Sequence, residues 1–292
     1  IFVTFAAFEL LPGDPLASRL GPDAAGRMSP QAREALTREL GLDQPAWARY
    51  ASWVSDLVRG DLGRSRRSGR PVAEEIGARV GATLELNLAA LLLVVGAGLP
   101  IGWWMANRPG TVPDRVGGLT LLVAYAVPTF WLAVVLQNLL AVRWSVLPLY
   151  GRGSIAEHGL GGWLTHLALP AGCLALHQLA FYTRLTRNAT LESLGAPHAL
   201  TARAAGLGPG RVLFRHGVRP ALVPLVTWLG LAVPSLVTGS VLIETIFAWP
   251  GLGRLLVQAI QGRDAPVVLG LTVLVGALTV AGSRAADAAA AA

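Results

Sequence analysis

The sequence predicts an all-α membrane protein with six transmembrane helices, the first of them truncated at its start. Only 14% of the 292 residues are charged and 53% are hydrophobic, whereas soluble domains usually carry about 25% charged residues. The apolar residues also gather into runs long enough for spanning helices, each of which needs roughly 20 of them. These two observations exclude an ordinary soluble domain.

Six apolar segments account for the predicted helices. Residues 1–12 form the end of the first span, and complete candidates follow at 84–106, 116–142, 164–183, 221–243 and 266–283. The segments 116–142 and 221–243 contain no charged residue. One charge at the centre of a spanning helix costs about 2.5–3.5 kcal/mol on insertion scales, so the absence of charge is what a span requires.

Residues 13–82 are predicted to form a helical extracytoplasmic insertion between the first two spans. Ser29 is a candidate N-cap, and Pro30 would occupy the first helical position of a helix ending at Gly41. A second helix is indicated by an apolar stripe at helical spacing: Trp47, Tyr50, Trp53, Val54 and Leu57. This stripe could pack against the protein's own outer face, lie on the membrane surface or meet an extracytoplasmic partner.

Arginines in the short connections predict the orientation. All 24 basic residues are arginines. The connection 107–115 carries two of them against one acidic residue, and 184–219 carries six against one. Short basic loops remain in the cytoplasm. We therefore expect both termini to face the cytoplasm. The insertion is also rich in arginine, but the rule loses force in loops longer than about 60 residues.

The predicted transmembrane core, 83–292, includes a cytoplasmic connection of unusual composition at 188–219. Small residues dominate a predicted helix at 197–205, and Gly206 can end that helix in the left-handed conformation. A basic helix then begins at Pro209. The connection is either a knob presented to a cytosolic partner or a basic linker lying against anionic lipid.

Four sequence blocks resemble one family, and they occur in the family's order. TARAAGL at 201–207 and the basic stretch at 215–219 resemble the cytoplasmic EAA loop of ABC importer permeases, in the dipeptide, oligopeptide and nickel subfamily. LLPGDP at 10–15, VPTFW at 127–131 and ETIFAWPGLG with its continuation at 244–268 are similar to three further blocks of that subfamily. The resemblance covers nearly the whole chain.

The resemblance implies that this loop docks on a separate ATP-hydrolysing subunit. The residues expected to make the contact are Leu200, Thr201, Ala202, Arg203, Ala204, Ala205, Gly206, Leu207 and Arg215. Leu200 departs from the acidic residue of the broad pattern, and Ala205 stands where the subfamily often has lysine. The expected partners are two ATPase subunits, which would bind ATP and Mg²⁺, a second and diverged permease subunit, and an extracytoplasmic substrate-binding protein.

No catalytic or cofactor site is predicted within the chain itself. A Walker A phosphate loop requires a lysine, and the sequence has none. Metal-binding and nucleophile motifs are also missing from the sequence, so no metal site is expected. The arginines flank apolar segments, which favours anchoring in lipid headgroups over binding of nucleic acid.

Five residues in or near the spans are candidates for the translocation path or its gate: Glu85, Asn87, Pro128, His177 and Glu244. Polar groups within a membrane usually face a bundle interior or a water-filled path. Two alternatives stay open at this point. Glu85 could simply cap or snorkel at the outer end of its helix, and His177 could form a hydrogen bond between helices.

The resemblance therefore implies the permease subunit of an ATP-driven importer for dipeptides or oligopeptides, lying in the inner membrane of a bacterium and working by alternating access. A permease for nickel or another small solute is an alternative. A gradient-driven secondary transporter would be expected to bury a carboxylate near the middle of the membrane, and the central spans contain none.

Overall fold

The computed structural model describes residues 1–10, 27–39, 43–232 and 240–291. Its α-helices are α1 (Phe2–Leu10), α2 (Pro30–Glu39), α3 (Ala46–Val58), α4 (Val72–Ala106), α5 (Val112–Ala126), α6 (Thr129–Leu136), α7 (Ile155–Gly195), α8 (Pro197–Ala204), α9 (Pro209–Val212), α10 (Arg219–Ala232), α11 (Val241–Ile246), α12 (Leu252–Gln261) and α13 (Ala265–Ala291). Two π-helical turns, Gln137–Arg143 and Leu213–Val218, continue α6 and α9. Within these ranges no strand forms, in agreement with the all-α prediction.

Three helices, α4, α7 and α13, are long and apolar enough to cross a membrane. Helices α5 and α6 pass the same test as a pair, which raises the number of spans to four. The predicted number of six is not confirmed by the part of the chain that the structure describes. Residues 11–12 of the first predicted span and 233–239 of the fifth lie outside that part, as does most of the LLPGDP block.

Helices α4 and α7 run side by side in the same direction and form the main core. The backbones approach closely at Gly102, where an added Cβ would lie 2.6 Å from the Cβ of Thr186 and 2.8 Å from the carbonyl oxygen of Thr183. Leu86 and Tyr182 are among the side chains buried in this core. Small residues that let two helices touch are the usual basis of helix packing within membranes.

Both core helices extend beyond the apolar segments that predicted them. Helix α4 begins at Val72 rather than at 84, so it crosses the expected boundary between insertion and core at 82–83. Helix α7 continues past 183 to Gly195, into the segment expected to form a cytoplasmic loop. Hydropathy detects only the apolar part of a helix. A helix can continue into charged turns, as α4 does where the Arg79 side chain donates to the Glu75 carboxylate, one turn earlier, at 2.8 Å.

The predicted span 116–142 is not one straight helix. Helices α5 and α6 meet at an angle of 95°, with Val127 in an extended conformation and Pro128 at the N-cap of α6. Proline has no N–H to continue a helix and disfavours the helical conformation of the residue before it. The VPTFW block is therefore a sharp break in the helix.

Helix α2 begins where the sequence predicted. Ser29 Oγ accepts a hydrogen bond from the N–H of Ala32 at 3.2 Å, and Pro30 is the first helical residue, as predicted. The predicted end of this helix at Gly41 lies outside the described residues.

One part of the aromatic stripe on α3 packs against the chain, and another part is exposed. The ring of Tyr50 lies 5.3 Å from that of Phe2 and 5.2 Å from that of Phe5, both in α1. Arg49 forms an ion pair with Glu9 of the same helix. Trp47 is 75% exposed. Packing against the protein itself therefore accounts for Tyr50 but not for Trp47.

A helical hairpin formed by α11 and α12 closes the end of α4 that is remote from α8. Leu252 and Leu255 of α12 are buried against Val72 and Ile76 of α4, together with Val267 of α13. The ETIFAWPGLG block thus forms the junction between three helices.

Candidate coupling helix and the buried Glu244 network

Helix α8 is a short, well-terminated helix directly after α7. Pro197 occupies its first turn. Gly206 adopts a φ of +81°, a conformation that glycine tolerates best. The N–H of Gly206 donates to the carbonyl of Arg203 at 3.0 Å, and that of Leu207 to Ala202 at 3.2 Å. These two bonds form a Schellman motif, which satisfies carbonyls at the helix end.

The two faces of α8 have different surroundings. Ala199 and Ala202 are buried in a small cluster with Val212, which Leu194 and Leu207 complete. Leu200, in contrast, is 53% exposed. The other expected contact residues that lie exposed are Thr201, Arg203, Ala204, Ala205, Gly206 and Arg215.

Helix α8 places Ala202 on its buried face. Ala202 was predicted to offer its small side chain to a partner, but it is only 7% exposed. Its small size is used within the chain instead, because α8 must lie close to the segment that contains Val212. Any docking contact therefore falls to the exposed residues, with Leu200 as the large apolar side chain among them.

A histidine that the sequence did not single out for a role also holds α8 in place. His198 Nε2 lies 3.0 Å from the carbonyl oxygen of His216. That carbonyl can only accept, so Nε2 carries the proton in this contact. Pro220, four residues after His216, has no N–H to offer to that carbonyl. His198 therefore satisfies an acceptor that the α-helical pattern leaves open.

The other end of α4 contains a network around Glu244, which is fully buried. The Glu244 network consists of the side chains of Thr83, Asn87, Ser240 and Glu244 and the N–H groups of Leu252 and Arg254. Thr83 and Ser240 donate to Glu244 Oε1 at 2.9 Å and 2.7 Å. The N–H of Arg254 donates to Oε2 at 3.0 Å.

Every hydrogen bond in this network has a fixed direction. Thr83 Oγ1 accepts from the N–H of Leu252 at 2.7 Å, and Ser240 Oγ accepts from Asn87 Nδ2 at 3.0 Å. Each hydroxyl therefore has only its own proton left to give, and Glu244 receives it. A buried carboxylate needs such donors, because burying an unpaired charge is very costly.

Close backbone contacts fix the network's position. A Cβ on Gly251 would lie 2.5 Å from Thr83 Oγ1, and one on Gly253 would lie 2.6 Å from the Cα of Val241. The indole N–H of Trp249 donates to the carbonyl of Ala82 at 2.7 Å. The network thus fastens the α11–α12 hairpin to α4, and Glu244 presents no surface to a docked protein in this conformation.

The remaining path candidates fall into separate places. Glu85 accepts from Trp163 and Arg152 near the same end of α4 as the network, so it is paired rather than facing solvent alone. The ring of His177 stacks on Tyr125, with centroids 4.3 Å apart, just before the break at Pro128. Among the described residues, no hydrogen bond or ring contact joins these two places.

Sequence analysis also did not predict an ion pair between two distant parts of the chain. Arg187 of α7 donates from Nε and Nη2 to the carboxylate of Asp114 at the start of α5. Asp114 also accepts from the N–H of Gly110 at 2.9 Å. The sequence counts these residues only as loop charges, and nothing in the spacing of residues 73 positions apart indicates a contact.

Comparison with known proteins identifies the family. Residues 98–292 match the family described as the binding-protein-dependent transport system inner membrane component. The chain belongs to this family. As an inner membrane component with several long apolar helices, it is a multi-pass protein of the inner membrane.

Individual relatives are similar to this chain over most of its length. The dipeptide transport system permease protein DppB of Escherichia coli (strain K12) is 37% identical over 300 residues, which cover 95% of this chain and 88% of the relative. The oligopeptide transport system permease protein AppB of Bacillus subtilis (strain 168) is 37% identical over 287 residues, covering 98% and 90%.

A solved structure shares the fold. The MetNI methionine ABC transporter in an inward-facing conformation superposes with a TM-score of 0.53 and 22% identity, over 73% of this chain and 95% of the matched chain. At this level of identity the similarity concerns the fold alone.

Proposed function

We propose that this chain is the transmembrane permease subunit of an ATP-driven ABC importer for dipeptides or oligopeptides. The observation that carries the proposal is α8: a short helix with a buried small-residue face, an exposed Leu200 and a Schellman end at Gly206. The names of the relatives, which are dipeptide and oligopeptide permeases, supply the cargo class.

Helix α8 would act as the coupling helix. A partner ATPase subunit would contact its exposed residues and move it when ATP binds. Since Ala199 and Ala202 tie α8 to the end of α7, and α7 packs closely against α4 at Gly102, such a movement would reach both core helices. Alternating access would follow as a shift between two arrangements of the pair of permeases.

The assembly that we propose has separate subunits for separate tasks. Two ATPase subunits bind ATP and Mg²⁺ at the α8 end, while this chain performs no covalent chemistry. A second permease, a diverged sister, completes the path. A substrate-binding protein delivers peptide at the opposite, extracytoplasmic end, beside the insertion. Both termini lie in the cytoplasm in this arrangement.

We assign the path candidates to two functions. Pro128 and His177 lie beside the 95° break between α5 and α6, and a break of this kind exposes backbone carbonyls that can line a polar path. Asn87 and Glu244, with Glu85 close to them along the chain, belong to the end that would face the binding protein. There the Glu244 network would make the hairpin move together with α4 as one gate element.

Uptake by a strain that lacks the gene tests this function. Labelled dipeptide, labelled oligopeptide and ⁶³Ni²⁺ would be supplied in turn, with the wild-type chain restored on a plasmid. We expect peptide uptake to require the chain and to cease when the cell's ATP is depleted, even with the proton gradient maintained. Loss of nickel uptake with normal peptide uptake would instead establish the nickel alternative.

A further inference from the structure

A cleft between α5 and α7, at the α8 end of the bundle, is not used by the function proposed above. It has a volume of about 480 Å³. Arg115 lines it from α5, and Arg184 and Arg187 line it from α7. The cleft opens where the two helices leave the apolar part of the bundle.

The charges of the cleft do not cancel. Asp114 is engaged by Arg187 through two hydrogen bonds, 2.7 Å and 2.8 Å long, so these two residues largely neutralise each other. Arg115 and Arg184 are exposed, and neither donates a hydrogen bond or forms a salt bridge to a residue in the described ranges. The cleft therefore carries two positive charges in excess.

The wall of the cleft changes character along α5. Leu119 and Leu122 follow Arg115 by one and two helical turns, and both contribute to the lining, as does Met105 of α4. Seven residues of helix from Arg115 to Leu122 span about 10 Å. A ligand seated here would thus meet cations at one end and an apolar surface, continuous with exposed Val123, at the other.

We propose that this cleft binds an anionic phospholipid, with its phosphate between Arg115 and Arg184 and the first part of an acyl chain against Leu119 and Leu122. Basic pockets between membrane helices bind lipid headgroups in this manner. A free phosphate or a peptide carboxylate would use only the cationic end. The amphipathic division of the cleft favours the lipid.

Native mass spectrometry of the detergent-purified complex tests the proposal. Phosphatidylglycerol, or phosphatidylcholine as its zwitterionic counterpart, would be titrated into the wild-type protein and into the double variant Arg115→Gln, Arg184→Gln. We expect the double variant to bind phosphatidylglycerol on the order of 30-fold more weakly, because each arginine near a membrane surface contributes about 1 kcal/mol, or about fivefold, to the affinity for anionic lipid. Binding of phosphatidylcholine should not change.

Arg108→Gln is the matched control. It removes an equal charge from the connection just before α5, but Arg108 lies over the ring of Trp104 and does not line the cleft. Equal weakening by Arg108→Gln and by a single Arg184→Gln would show general attraction of charge to lipid and overturn the proposal. Displacement of the lipid by millimolar inorganic phosphate would also overturn it, since this outcome assigns the site to a free anion.

A second measurement needs no variant. Phosphatidylglycerol with a photoreactive group near the start of its acyl chain would be crosslinked to the wild-type complex and the labelled peptides identified. We expect labelling of the α5 segment 115–122, and labelling only elsewhere would contradict the proposal. Peptide uptake and ATPase copurification are separate readouts, so failure here leaves the proposed function untouched.

Discussion

Arg187 donates two parallel hydrogen bonds to Asp114, from Nε to Oδ1 at 2.7 Å and from Nη2 to Oδ2 at 2.8 Å. The acid is 5% and the arginine 25% exposed. This bidentate contact joins the first turn of α5 to the end of α7 that precedes α8. A displacement of α8 would therefore be shared by α5 as well as by α4.

Removing one partner of this pair should cost more stability than removing both. We expect Arg187→Ala to lower the free energy of unfolding by about 2–4 kcal/mol, because it leaves the buried Asp114 carboxylate unpaired. Thermal unfolding in detergent measures the effect.

Arg38→Ala is the control, since Arg38 and Glu34 form an exposed ion pair on α2, and pairs of that kind contribute about 0–1 kcal/mol. The double variant Asp114→Ala, Arg187→Ala should be more stable than Arg187→Ala, and a result below it would disprove the pairing argument.

Glu244→Gln should destabilise the hairpin although the side chains have the same size. The amide nitrogen would have to face the Thr83 and Ser240 hydroxyls or the N–H of Arg254, and all three are donors. Leaving such buried groups unsatisfied costs about 1–3 kcal/mol. Size-exclusion profiles after graded heating report the loss.

Glu192→Gln, at an exposed carboxylate near the end of α7, should behave like the wild type. Equal stability of the two variants would refute the assigned directions.

Gly102→Ala should separate the core helices, while Gly96→Ala on the same helix should not. A Cβ at position 102 would overlap with Thr186, whereas nothing lies within 4 Å of one at position 96. Overpacking of this kind costs about 1–3 kcal/mol, and alanine in place of an unconstrained helical glycine stabilises by about 0.5–1 kcal/mol. The two melting temperatures should therefore move in opposite directions. A fall of similar size in both would indicate that glycine is needed for reasons other than close packing.

Leu200→Glu should weaken capture of the ATPase subunits without unfolding the chain. Leu200 is exposed on α8, so the change removes an apolar contact at no cost to the fold. We expect copurification of the ATPase subunits with the tagged chain to fall at least about tenfold, as for a central apolar contact of an interface. Val58→Glu replaces another exposed apolar residue, on α3, and should leave copurification unchanged.

Ala202→Glu separates docking from folding at the same helix. It places a carboxylate in the cluster of Ala199 and Val212, so it should lower the melting temperature, which Leu200→Glu should not do. Normal stability of Ala202→Glu together with lost copurification would return Ala202 to the docking face.

The sequence predicted the helices well where hydropathy alone determines them. Segments 84–106 and 164–183 lie within α4 and α7, and 266–283 within α13. Hydropathy carries no information on direction, so it joined α5 and α6 into one span across a 95° bend. Pro128 was the available signal, because proline after an extended residue is a common helix boundary.

The buried and exposed faces of α8, and the contacts between residues far apart in the sequence, could be identified only from the folded structure. Ala199, Ala202 and Ala204 are all small, so composition did not reveal which of them point inward. Asp114 with Arg187, and Thr83 with Glu244, meet only because α5, α7 and the hairpin are brought to α4 by packing. Residue types indicated that Glu244 needed partners, but not which residues they would be.

The Glu244 network also sets an order of events during synthesis. Thr83 and Glu244 are 161 positions apart, and ribosomes that add about 5–20 residues per second need roughly 8 to 30 seconds for that interval. Throughout this time α4 exists without Ser240 and Glu244, the residues with which its Asn87 and Thr83 side chains pair. A chain whose synthesis stops before residue 240 therefore lacks the groups that pair with the side chains of Thr83 and Asn87 in the folded protein.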